Sequence, residues 1–456
     1  MLMVNVRNKS DTHWSEKRLY SKVHLIEDSQ SEDTVCVHPL IAIKMRLKKG
    51  TGSLQFGTQK DTVKIGINGQ IQINELLISS NVVKSLKIPL YCEFDLINDQ
   101  QNLIIGPFIG IVAAKRKNEL NKKLNEFLDY LYHYDQIGGA IMVFSLDQVS
   151  PNEQTIHGFM YNPSSKSWEE NIYHYPSSLH LRIPWFRSKW QRHFESFMGD
   201  TIFNNFHYNK WSIHKLLMDT PEVASHLPET ILYTEPSDVI SFLEKHPSAY
   251  LKPINFSRGK GIIKINQIGM NDFQVKYTKG KKVIQEALNN EDEINHFLSQ
   301  KLKPKRYIIQ KTIDLISKDT SIIDFRIYLT KDEAGNWKCI EFFYKQGVPG
   351  QIVSNFFRGG SFGMGLHPLK ETLNLSDQEV KKMEETISTI ALKAVKAVEN
   401  TGVHFANTAI DIGIDTSKRV WIIEVQHCVP GHMDIDETYY NYLTTIMLYA
   451  KKLAGF

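Results

Sequence analysis

The stretch "AIDIGIDTSKRVWIIEVQHCVPG", residues 409–431, contains two apolar runs that flank a short polar segment, residues 416–419. Both runs are rich in β-branched residues, so the stretch predicts a β-hairpin. Asp411 lies within the first run and Glu424 within the second. A carboxylate among apolar neighbours is costly to bury unless a cation meets it. Two interpretations are open at this point: a hairpin that binds a cation, or an edge hairpin whose acids lie on a solvated face.

Composition and charge indicate a globular protein of more than one domain. A chain of 456 residues is too long for one hydrophobic core. The formal net charge of +4 is small for this length, and the basic runs at 115–117 and 301–306 have no interleaved aromatic residues. We therefore expect a solvated basic surface and no nucleic-acid partner.

Cysteine usage and hydropathy limit the compartment. The four cysteines lie far apart and form no CxxC pair, which argues against a disulfide framework or a zinc finger and indicates a reducing compartment. The chain has no signal-like start and no run of eighteen apolar residues. We expect a cytoplasmic protein with no membrane partner.

The pattern of apolar residues changes twice along the chain, and these changes predict three domains. Residues 1–110 contain short strand-like runs between Gly, Asn and Asp turn signals, which predict a small β-rich domain. Residues 111–200 begin with a helical pattern, residues 117–131, and continue with strands. They predict an α/β domain.

The third predicted domain, residues 201–456, contains several helices and strands. A long amphipathic helix runs from a cap at Ser376 to a stop at Gly402. Helices and strands occur in all but the first region, so the expected fold class is α/β or α+β.

A second motif, "LKPINFSRGKGIIKI" at residues 251–265, reads as strand, glycine loop, strand. Glycines in such a loop let backbone N–H groups approach phosphate oxygens, and a lysine on the preceding strand adds a positive charge. The alternative is an ordinary glycine-containing hairpin. The candidate phosphate-binding residues are Lys252, Ser257, Gly259, Lys260 and Gly261.

A third motif combines the segments "RYIIQKTI" and "IIDFRIYLT". Gln310 and Lys311 lie near the end of the first predicted strand. Asp324 and Arg326 share one face of the second strand because they are two residues apart. An arginine between apolar neighbours requires an anion. That anion is either a ligand or, in the plainer alternative, Asp324 itself.

Taken in order, these motifs resemble the ATP-grasp superfamily over residues 200–456. The resemblance rests on a lysine (Lys210) ahead of the glycine loop, then the hinge strand 310–313, then the acids of the last hairpin. The stretch "VSNFFRGG", residues 353–360, looks like the NxxRGG stretch of the glutamate-ligase branch. The resemblance implies an ATP-grasp fold preceded by an α/β pre-ATP-grasp unit and the N-terminal β domain.

Four shorter stretches are similar to the YheC/YheD family of endospore coat-associated proteins, and this resemblance spans most of the chain. They are "LIIGPFIGIVAAK" (103–115), "HLRI" (180–183), "NKW" (209–211) and "LPET" (227–230). This resemblance implies sporulation, a mother-cell location and spore-coat proteins as partners.

The superfamily resemblance also implies that ATP binds with Mg²⁺ at the hairpin acids. Asp411, Glu424 and Gln426 occupy the places of the metal ligands, and Mg²⁺ prefers such hard oxygen donors. Gln426 replaces the usual asparagine, so its amide oxygen lies one methylene further out and is expected to weaken one metal site. Lys345 stands where the family commonly has an arginine, and lysine cannot provide a bidentate fork.

The remaining site residues take their roles from the same resemblance. Lys210, Lys252 and the glycine loop hold the phosphates, and Arg326 stabilises the γ-phosphoryl charge. The adenine is framed by Gln310, Lys311 and Ile313, and the substrate by Asn355 and Arg358.

The implied activity is a carboxylate–amine ligase that works through an acyl phosphate, with ATP, a carboxylate and an amine as substrates and a peptide or protein as one class of acceptor. Two rival functions remain. One is a phosphotransferase that acts on a hydroxyl group, and the other is a spore-coat assembly protein whose nucleotide site has decayed. The sequence does not identify the acceptor.

A polar cluster directly after Glu424 suggests a transition-metal site at first sight. Its members are His427, Cys428, His432, Asp434 and Asp436. A zinc site needs closed tetrahedral geometry, whereas a Pro-Gly turn interrupts this cluster. We therefore expect a polar loop beside the active cleft and no zinc.

Overall fold

The computed structural model describes residues 21–183, 186, 188–205, 208–256, 259–279, 282–350, 360–426 and 436–456. These residues form four β-sheets with helices between and around them. Within this part of the chain, no helix is both long enough and apolar enough to span a membrane. The mixture of helices and sheets confirms the expected fold class.

The first sheet closes into a seven-stranded barrel in the order β1-β5-β2-β4-β3-β7-β6, which protects its strand edges. Its strands are β1 (Ser21–Asp28), β2 (Thr34–Val37), β3 (Gly50–Phe56), β4 (Gln59–Ile67), β5 (Glu75–Ser79), β6 (Glu93–Asp99) and β7 (Asn102–Gly106). Two short helices, α1 (Pro39–Lys44) and α2 (Ser80–Leu86), belong to this region. The run "TVCVHPLIAIKM", residues 34–45, is one of the strand-like runs of residues 1–110. It forms β2 and then α1, because Pro39 occupies the first turn of a helix and His38 accepts a hydrogen bond from the Leu40 amide.

The second sheet has the order β10-β11-β9-β8-β13-β14, with β12 beside β11. Its strands are β8 (Phe108–Ala114), β9 (Ala140–Ser145), β10 (Val149–Ser150), β11 (Thr155–Asn162), β12 (Ser167–His174), β13 (Ser178–Leu181) and β14 (Ile202–Phe203). The four neighbours β9, β8, β13 and β14 run parallel. Their carboxyl ends therefore lie at one edge of the sheet.

The helices of this region are α3 (Lys117–Asn121), α4 (Tyr134–Ile137) and α5 (Ser188–Met198), with 3₁₀-helices at Leu124–Leu131 and Leu146–Gln148. The single helix expected over 117–131 was therefore wrong. It divides because Lys123 leaves the helical region at φ −133°, while its ammonium group donates to the Ala113 carbonyl at 2.6 Å.

The third sheet is antiparallel, in the order β15-β20-β16-β17-β18-β19. Its strands are β15 (Thr230–Leu232), β16 (Ser248–Pro253), β17 (Ile263–Gln267), β18 (Phe273–Lys279), β19 (Lys282–Leu288) and β20 (Tyr307–Lys311). The accompanying helices are α6 (Lys210–Met218), α7 (Pro221–Ala224), α8 (Pro236–Lys245) and α9 (Glu291–Lys301). Apolar residues of α8 and α9 share one core with this sheet.

The fourth sheet has the order β24-β23-β22-β25-β26, with β21 beside β22. Its strands are β21 (Ser317–Lys318), β22 (Ser321–Lys331), β23 (Trp337–Gln346), β24 (Ser361–Met364), β25 (Asn407–Ile414) and β26 (Val420–Gln426). Helices α10 (Pro368–Leu373) and α11 (Asp377–Glu399) share a core with it. Ser376 caps α11, as the sequence predicted, and forms a capping box with Glu379.

The last helix, α12 (Glu437–Leu453), lies between the second and fourth sheets. It contacts β8 and β13 on one side and β22 and β23 on the other, and one buried cluster includes residues of α12, β8, β22 and β23. Polar contacts fix it further: Ser178 donates to the Ala450 carbonyl at 2.8 Å, and Lys451 pairs with Asp95 of the barrel at 2.7 Å. The helix therefore holds the parallel strands against the sheet that carries the hairpin.

Candidate functional site

The hairpin predicted from the sequence is formed by β25 and β26, which pair antiparallel. Asp411 faces Glu424 directly across the pair, and Gln426 follows two residues later on the same face. The register shifts after Asp411, so that Ile412 faces Ile422 and Ile423 is bulged. Asp411 is buried, which contradicts the interpretation of a solvated edge for this acid.

The cation that meets Asp411 is Arg326, which lies opposite it on the neighbouring strand β22. The guanidinium group donates from Nε to Oδ1 at 2.8 Å and from Nη2 to Oδ2 at 2.9 Å, a bidentate pair. Lys345 lies on β23 opposite Asp324, and its ammonium group contacts Asp324 at 2.9 Å and Asp411 at 3.1 Å. The ion pair expected within β22 thus extends over three strands, and its two cations balance its two acids.

Electrostatics hold these groups in their charged forms. Burial alone would raise the pKa of Asp411, but Arg326 and Lys345 outweigh it and hold that pKa well below its usual range. Burial would likewise lower the pKa of Arg326, yet Asp411 raises it. For Lys345 the same opposition between burial and the two carboxylates ends in a raised pKa. A lysine suits this position because a single ammonium group can serve two acids.

Lys210 connects the glycine loop to the hairpin. It is the first residue of α6. Asn209 caps this helix, and its side chain accepts a hydrogen bond from the Ser212 amide at 2.9 Å. The Lys210 ammonium group donates to Glu424 Oε1 at 2.8 Å and to the Phe256 carbonyl at 2.7 Å. The third and fourth sheets are therefore linked at the acid that the sequence placed in the metal site.

Lys252 and Gln310 occupy neighbouring strands of the third sheet. The Lys252 ammonium group donates to Gln310 Oε1 at 2.5 Å, and Gln310 Nε2 donates to Thr230 Oγ1 at 3.0 Å. Burial lowers the pKa of Lys252 to about 8, although Glu424 opposes this shift. Glu424 and Asp411 act on this lysine from the fourth sheet, so Lys252 lies between the two sheets.

The glycine loop takes the strand–loop–strand form that the sequence predicted, between β16 and β17. Gly259 and Gly261 have φ angles of +67° and +76°, which favour glycine over other residues. A Cβ atom on Gly261 would lie 2.9 Å from Pro253 Cγ. Lys260 is exposed, with its ammonium group 5.5 Å from the centroid of the Phe256 ring.

The segment expected to frame adenine lies at the end of β20. The Gln310 side chain is engaged by Lys252 and Thr230, as described above. The Lys311 amide donates to the Glu229 carbonyl at 2.9 Å, and the Ile313 carbonyl accepts from the Leu315 amide at 2.9 Å. Both side chains, of Lys311 and Ile313, are half-buried. Their role in nucleotide binding stays a prediction.

Several predicted residues lie outside the described part of the chain. These are Ser257, Asn355 and Arg358 of the site, and His427, Cys428, His432 and Asp434 of the polar cluster. Asp436 is described and caps α12, accepting from the Tyr439 amide at 3.0 Å. Within the described ranges, no group of three or more His, Cys, Asp or Glu residues is arranged to hold a metal ion.

The charges of the site suit a polyphosphate bound together with a divalent cation. Four cations and three carboxylates meet here, an excess of one positive charge: Lys210, Lys252, Arg326 and Lys345 against Asp324, Asp411 and Glu424. Asp411, Glu424 and the Gln426 amide supply the hard oxygen donors that Mg²⁺ prefers. Gln426 Nε2 lies 3.4 Å from Asp411 Oδ2, and Asp411 faces Glu424 across the strand pair. Their donor types fit Mg²⁺.

The sequence suggested Asp324 only as the alternative partner of Arg326, and Lys345 only as the replacement of a family arginine; in the structure both complete the charge balance around Asp411. The sequence contained one indication of this role. Lys345 and the apolar Phe343 are two residues apart in a strand, so their side chains lie on the same face. Spacing within one strand could not show which acid on another strand it would meet.

Comparison with known proteins places this site within a family. Residues 199–453 match a family model described as YheC/D like ATP-grasp. The endospore coat-associated protein YheD of Bacillus subtilis (strain 168) is 25% identical over 386 residues, which cover 81% of this chain and 82% of YheD. Its counterpart YheC is 21% identical over 345 residues, covering 72% of this chain and 89% of YheC.

Among solved structures, the VanG D-Ala:D-Ser ligase from Enterococcus faecalis aligns with a TM-score of 0.43 and 10% identity, covering 75% of this chain and 98% of that chain. The matched family region, residues 199–453, contains both six-stranded sheets and all of the site residues described above.

Proposed function

The chain belongs to the YheC/D-like ATP-grasp family, and we propose that it is an ATP- and Mg²⁺-dependent ligase that joins a carboxylate to an amine. The observation that carries this proposal is the meeting of Lys210, Lys252 and Arg326 with the acids of the hairpin between two sheets. A decayed site is expected to lose one or more of these charges, and all of them are present here. Lys210 pairs with Glu424 and Arg326 with Asp411, while Lys252 donates to Gln310.

In the proposed reaction, a carboxylate oxygen attacks the γ-phosphorus of ATP in line, and the bond from that phosphorus to the β–γ bridging oxygen breaks. ADP leaves, and an acyl phosphate is formed. The amine then attacks the acyl carbon, loses a proton and expels inorganic phosphate, which leaves an amide. Most of the catalysis in such a transfer is positioning and electrostatic stabilisation.

The chain's own residues supply that positioning. Lys210, Lys252 and the glycine-loop backbone hold the phosphates, while Arg326 fixes Asp411 and adds positive charge near the transferred group. Mg²⁺ would be held by Asp411, Glu424 and Gln426, where it neutralises phosphate charge. The adenine-binding role of residues 310–313 and the substrate-binding roles of Asn355 and Arg358 are part of the same proposal.

The proposed partners and acceptors are taken from the relatives. Because the relatives YheD and YheC are named endospore coat-associated proteins, we include spore-coat proteins among the proposed partners and acceptors. The division of the chain into residues 1–110, 111–200 and 201–456 is likewise proposed, with the last part as the catalytic unit.

The proposal is tested by calorimetry with AMPPNP and by ADP release. We expect AMPPNP to bind more tightly with Mg²⁺ than without it, and ADP to form when pooled amino acids and dipeptides supply both a carboxylate and an amine. ADP formation with hydroxyl acceptors alone, yielding a phosphate ester, would favour the phosphotransferase. Absence of AMPPNP binding with and without Mg²⁺ would favour the coat-assembly protein.

Lys252 should make nucleotide binding depend on pH. Its pKa of about 8 lies below the ordinary value of 10.5, so above pH 8 the ammonium group must regain a proton when a phosphate binds. We expect the affinity for AMPPNP with Mg²⁺, measured by calorimetry, to fall by up to about tenfold per pH unit above pH 8. Unfolding takes up the same proton between pH 8 and 10.5, so the free energy of unfolding rises with pH in that window.

The variant Lys252→Arg should flatten the affinity profile, because arginine stays charged throughout this range. Lys303→Arg, an exposed position in the same region, serves as the matched control and should keep the parent's slope. A parent protein whose affinity does not change between pH 7 and 9.5 would show that Lys252 does not meet the phosphates.

A further inference from the structure

The stretch "HLRI", residues 180–183, has no part in the nucleotide site, yet it places polar groups at the end of a parallel strand. β13 ends at Leu181, and Arg182 follows directly, its amide donating to the Val112 carbonyl of β8 at 2.9 Å. Ligand sites in parallel sheets form beyond the carboxyl ends of the strands. Arg182 therefore stands where such a sheet ordinarily binds its ligand.

The surroundings of Arg182 are aromatic and contain polar atoms that lack a partner. Its guanidinium carbon lies 5.3 Å from the ring centroid of Tyr130 and 5.9 Å from that of Phe127. Among the residues that the structure describes, neither Arg182 Nε nor Tyr130 Oη has a hydrogen-bond partner, although both atoms are buried. Buried polar groups are normally paired, so two donors left open beside each other indicate a bound acceptor.

An acid and a second hydroxyl complete this cluster. Tyr439, in the first turn of α12, donates to Asp129 Oδ2 at 3.1 Å. Burial raises the pKa of Tyr439, Asp129 raises it further, and Arg182 opposes the shift, so both charges lie near this hydroxyl. The nearby carboxylate disfavours a doubly charged phosphate, whereas a singly charged carboxylate matches the fork of one arginine.

The cluster is connected to the nucleotide site through α12. Tyr442, one turn after Tyr439, accepts from Asn407 Nδ2 at 3.4 Å, and its ring packs on Tyr328 with centroids 5.6 Å apart. Tyr328 lies two residues after Arg326 on β22. Asn407 lies four residues before Asp411 on β25, about 13 Å along the strand. The two sites thus lie at the ends of one face, separated by the length of a short extended chain.

We propose that Arg182 binds a carboxylate of the ligase's substrate, and that this substrate is an amino acid or short peptide whose other end reaches the γ-phosphate. The group held by Arg182 does not react, because the reacting atoms must lie near Arg326. Phe127 and Tyr130 form the apolar wall along the substrate, and the Tyr130 hydroxyl donates to the same carboxylate. The inference rests on the proposed ligase function and names the substrate class of that site.

The test uses the full chain with AMPPNP and Mg²⁺ and a pool of amino acids and dipeptides, prepared once as free acids and once as C-terminal amides. Calorimetry measures binding, and ADP release with ATP measures turnover. We expect the free acids to bind and the amides to bind at least about tenfold more weakly, because the amide offers no charge to the guanidinium group.

The variant Arg182→Gln should raise KM for the free acids by about tenfold to a hundredfold while kcat and AMPPNP affinity stay close to the parent, and Arg182→Lys should recover part of the loss. Arg192→Gln, on the exposed side of α5, is the matched control and should change neither constant. Melting temperatures of all three variants separate a loss of binding from a loss of fold.

Different outcomes overturn this inference and the proposed function. Free acids that bind in an Arg182-dependent manner without any ADP release would uphold the carboxylate site and overturn the ligase. Turnover at equal rates with acids and amides, or a KM unchanged in Arg182→Gln, would overturn the carboxylate site and leave the ligase standing. A pool that fails to bind while AMPPNP binds normally would also overturn the site.

Discussion

Replacement of Arg326 by methionine is expected to lower the free energy of unfolding by about 3–5 kcal/mol, because it leaves a buried carboxylate with half of its cations removed. The Asp411 side chain is only 8% exposed, and Lys345 alone would have to serve both Asp324 and Asp411. Denaturant unfolding of the nucleotide-free protein measures this loss. In the temperature range where the variant stays folded, turnover should fall more than ADP affinity, since the proposed role of the arginine is to act on the transferred group.

The double variant Arg326→Met with Asp411→Leu is the informative control. It removes one cation and one acid together and leaves the neutral pair of Lys345 and Asp324, so most of the stability should return. Nucleotide turnover should not return with it. A second control removes an exposed pair: Lys318→Met, opposite Glu371, should leave the free energy of unfolding close to that of the parent. If Arg326→Met cost no more than that, the buried pairing would not be what stabilises the sheet.

Local pattern predicted much of the fold correctly. The hairpin of β25 and β26 followed from two β-branched runs around a polar turn, and α11 followed from a capping residue and a period of 3.6. The strands β16, β17, β20 and β22 lie where the sequence indicated. The prediction of the ATP-grasp family rested on the order of these local motifs. The family match over residues 199–453 confirms it.

In two stretches the hydrophobic pattern alone gave the wrong element. The run at residues 34–45 has the apolar content of one strand, but a proline at a helix start divides it into β2 and α1. The run at 117–131 has the period of one helix, but Lys123 breaks it to reach a carbonyl of β8. Neither change can be seen in the hydrophobic periodicity.

The proposed domain limits stay predictions.

The site shows the same limit at the level of single residues. Spacing placed Asp324 and Arg326 on one face, which the register of β22 confirms. It could not show that β22 lies between β23 and β25, and this order alone brings Arg326 to Asp411, 85 residues away. The bulge at Ile423, which keeps Glu424 opposite Asp411, is also a property of the paired strands and absent from the sequence pattern.

Replacement of Glu424 by glutamine is expected to lower Mg²⁺-dependent turnover by about a hundredfold or more, because the proposed metal ligand loses its charge. The isostere keeps an oxygen that can still accept from the Lys210 ammonium group, which is 2.8 Å from Oε1 in the parent, so the fold should survive. The expected readouts are ADP release and the Mg²⁺ dependence of AMPPNP binding. Glu333→Gln, in the exposed turn between β22 and β23, is the matched control and should leave both unchanged.

The AMPPNP affinity of Glu424→Gln, relative to the parent, should depend on whether Mg²⁺ is present. Four cations and three carboxylates meet in the parent site, so removing the charge of Glu424 raises the excess from one positive charge to two. In EDTA, AMPPNP should therefore bind Glu424→Gln at least as tightly as it binds the parent, whereas with Mg²⁺ it should bind the variant more weakly. A variant that merely unfolds loses affinity under both conditions. A variant that keeps the parent's affinity and turnover with Mg²⁺ would show that Glu424 is a structural partner of Lys210 and not a metal ligand.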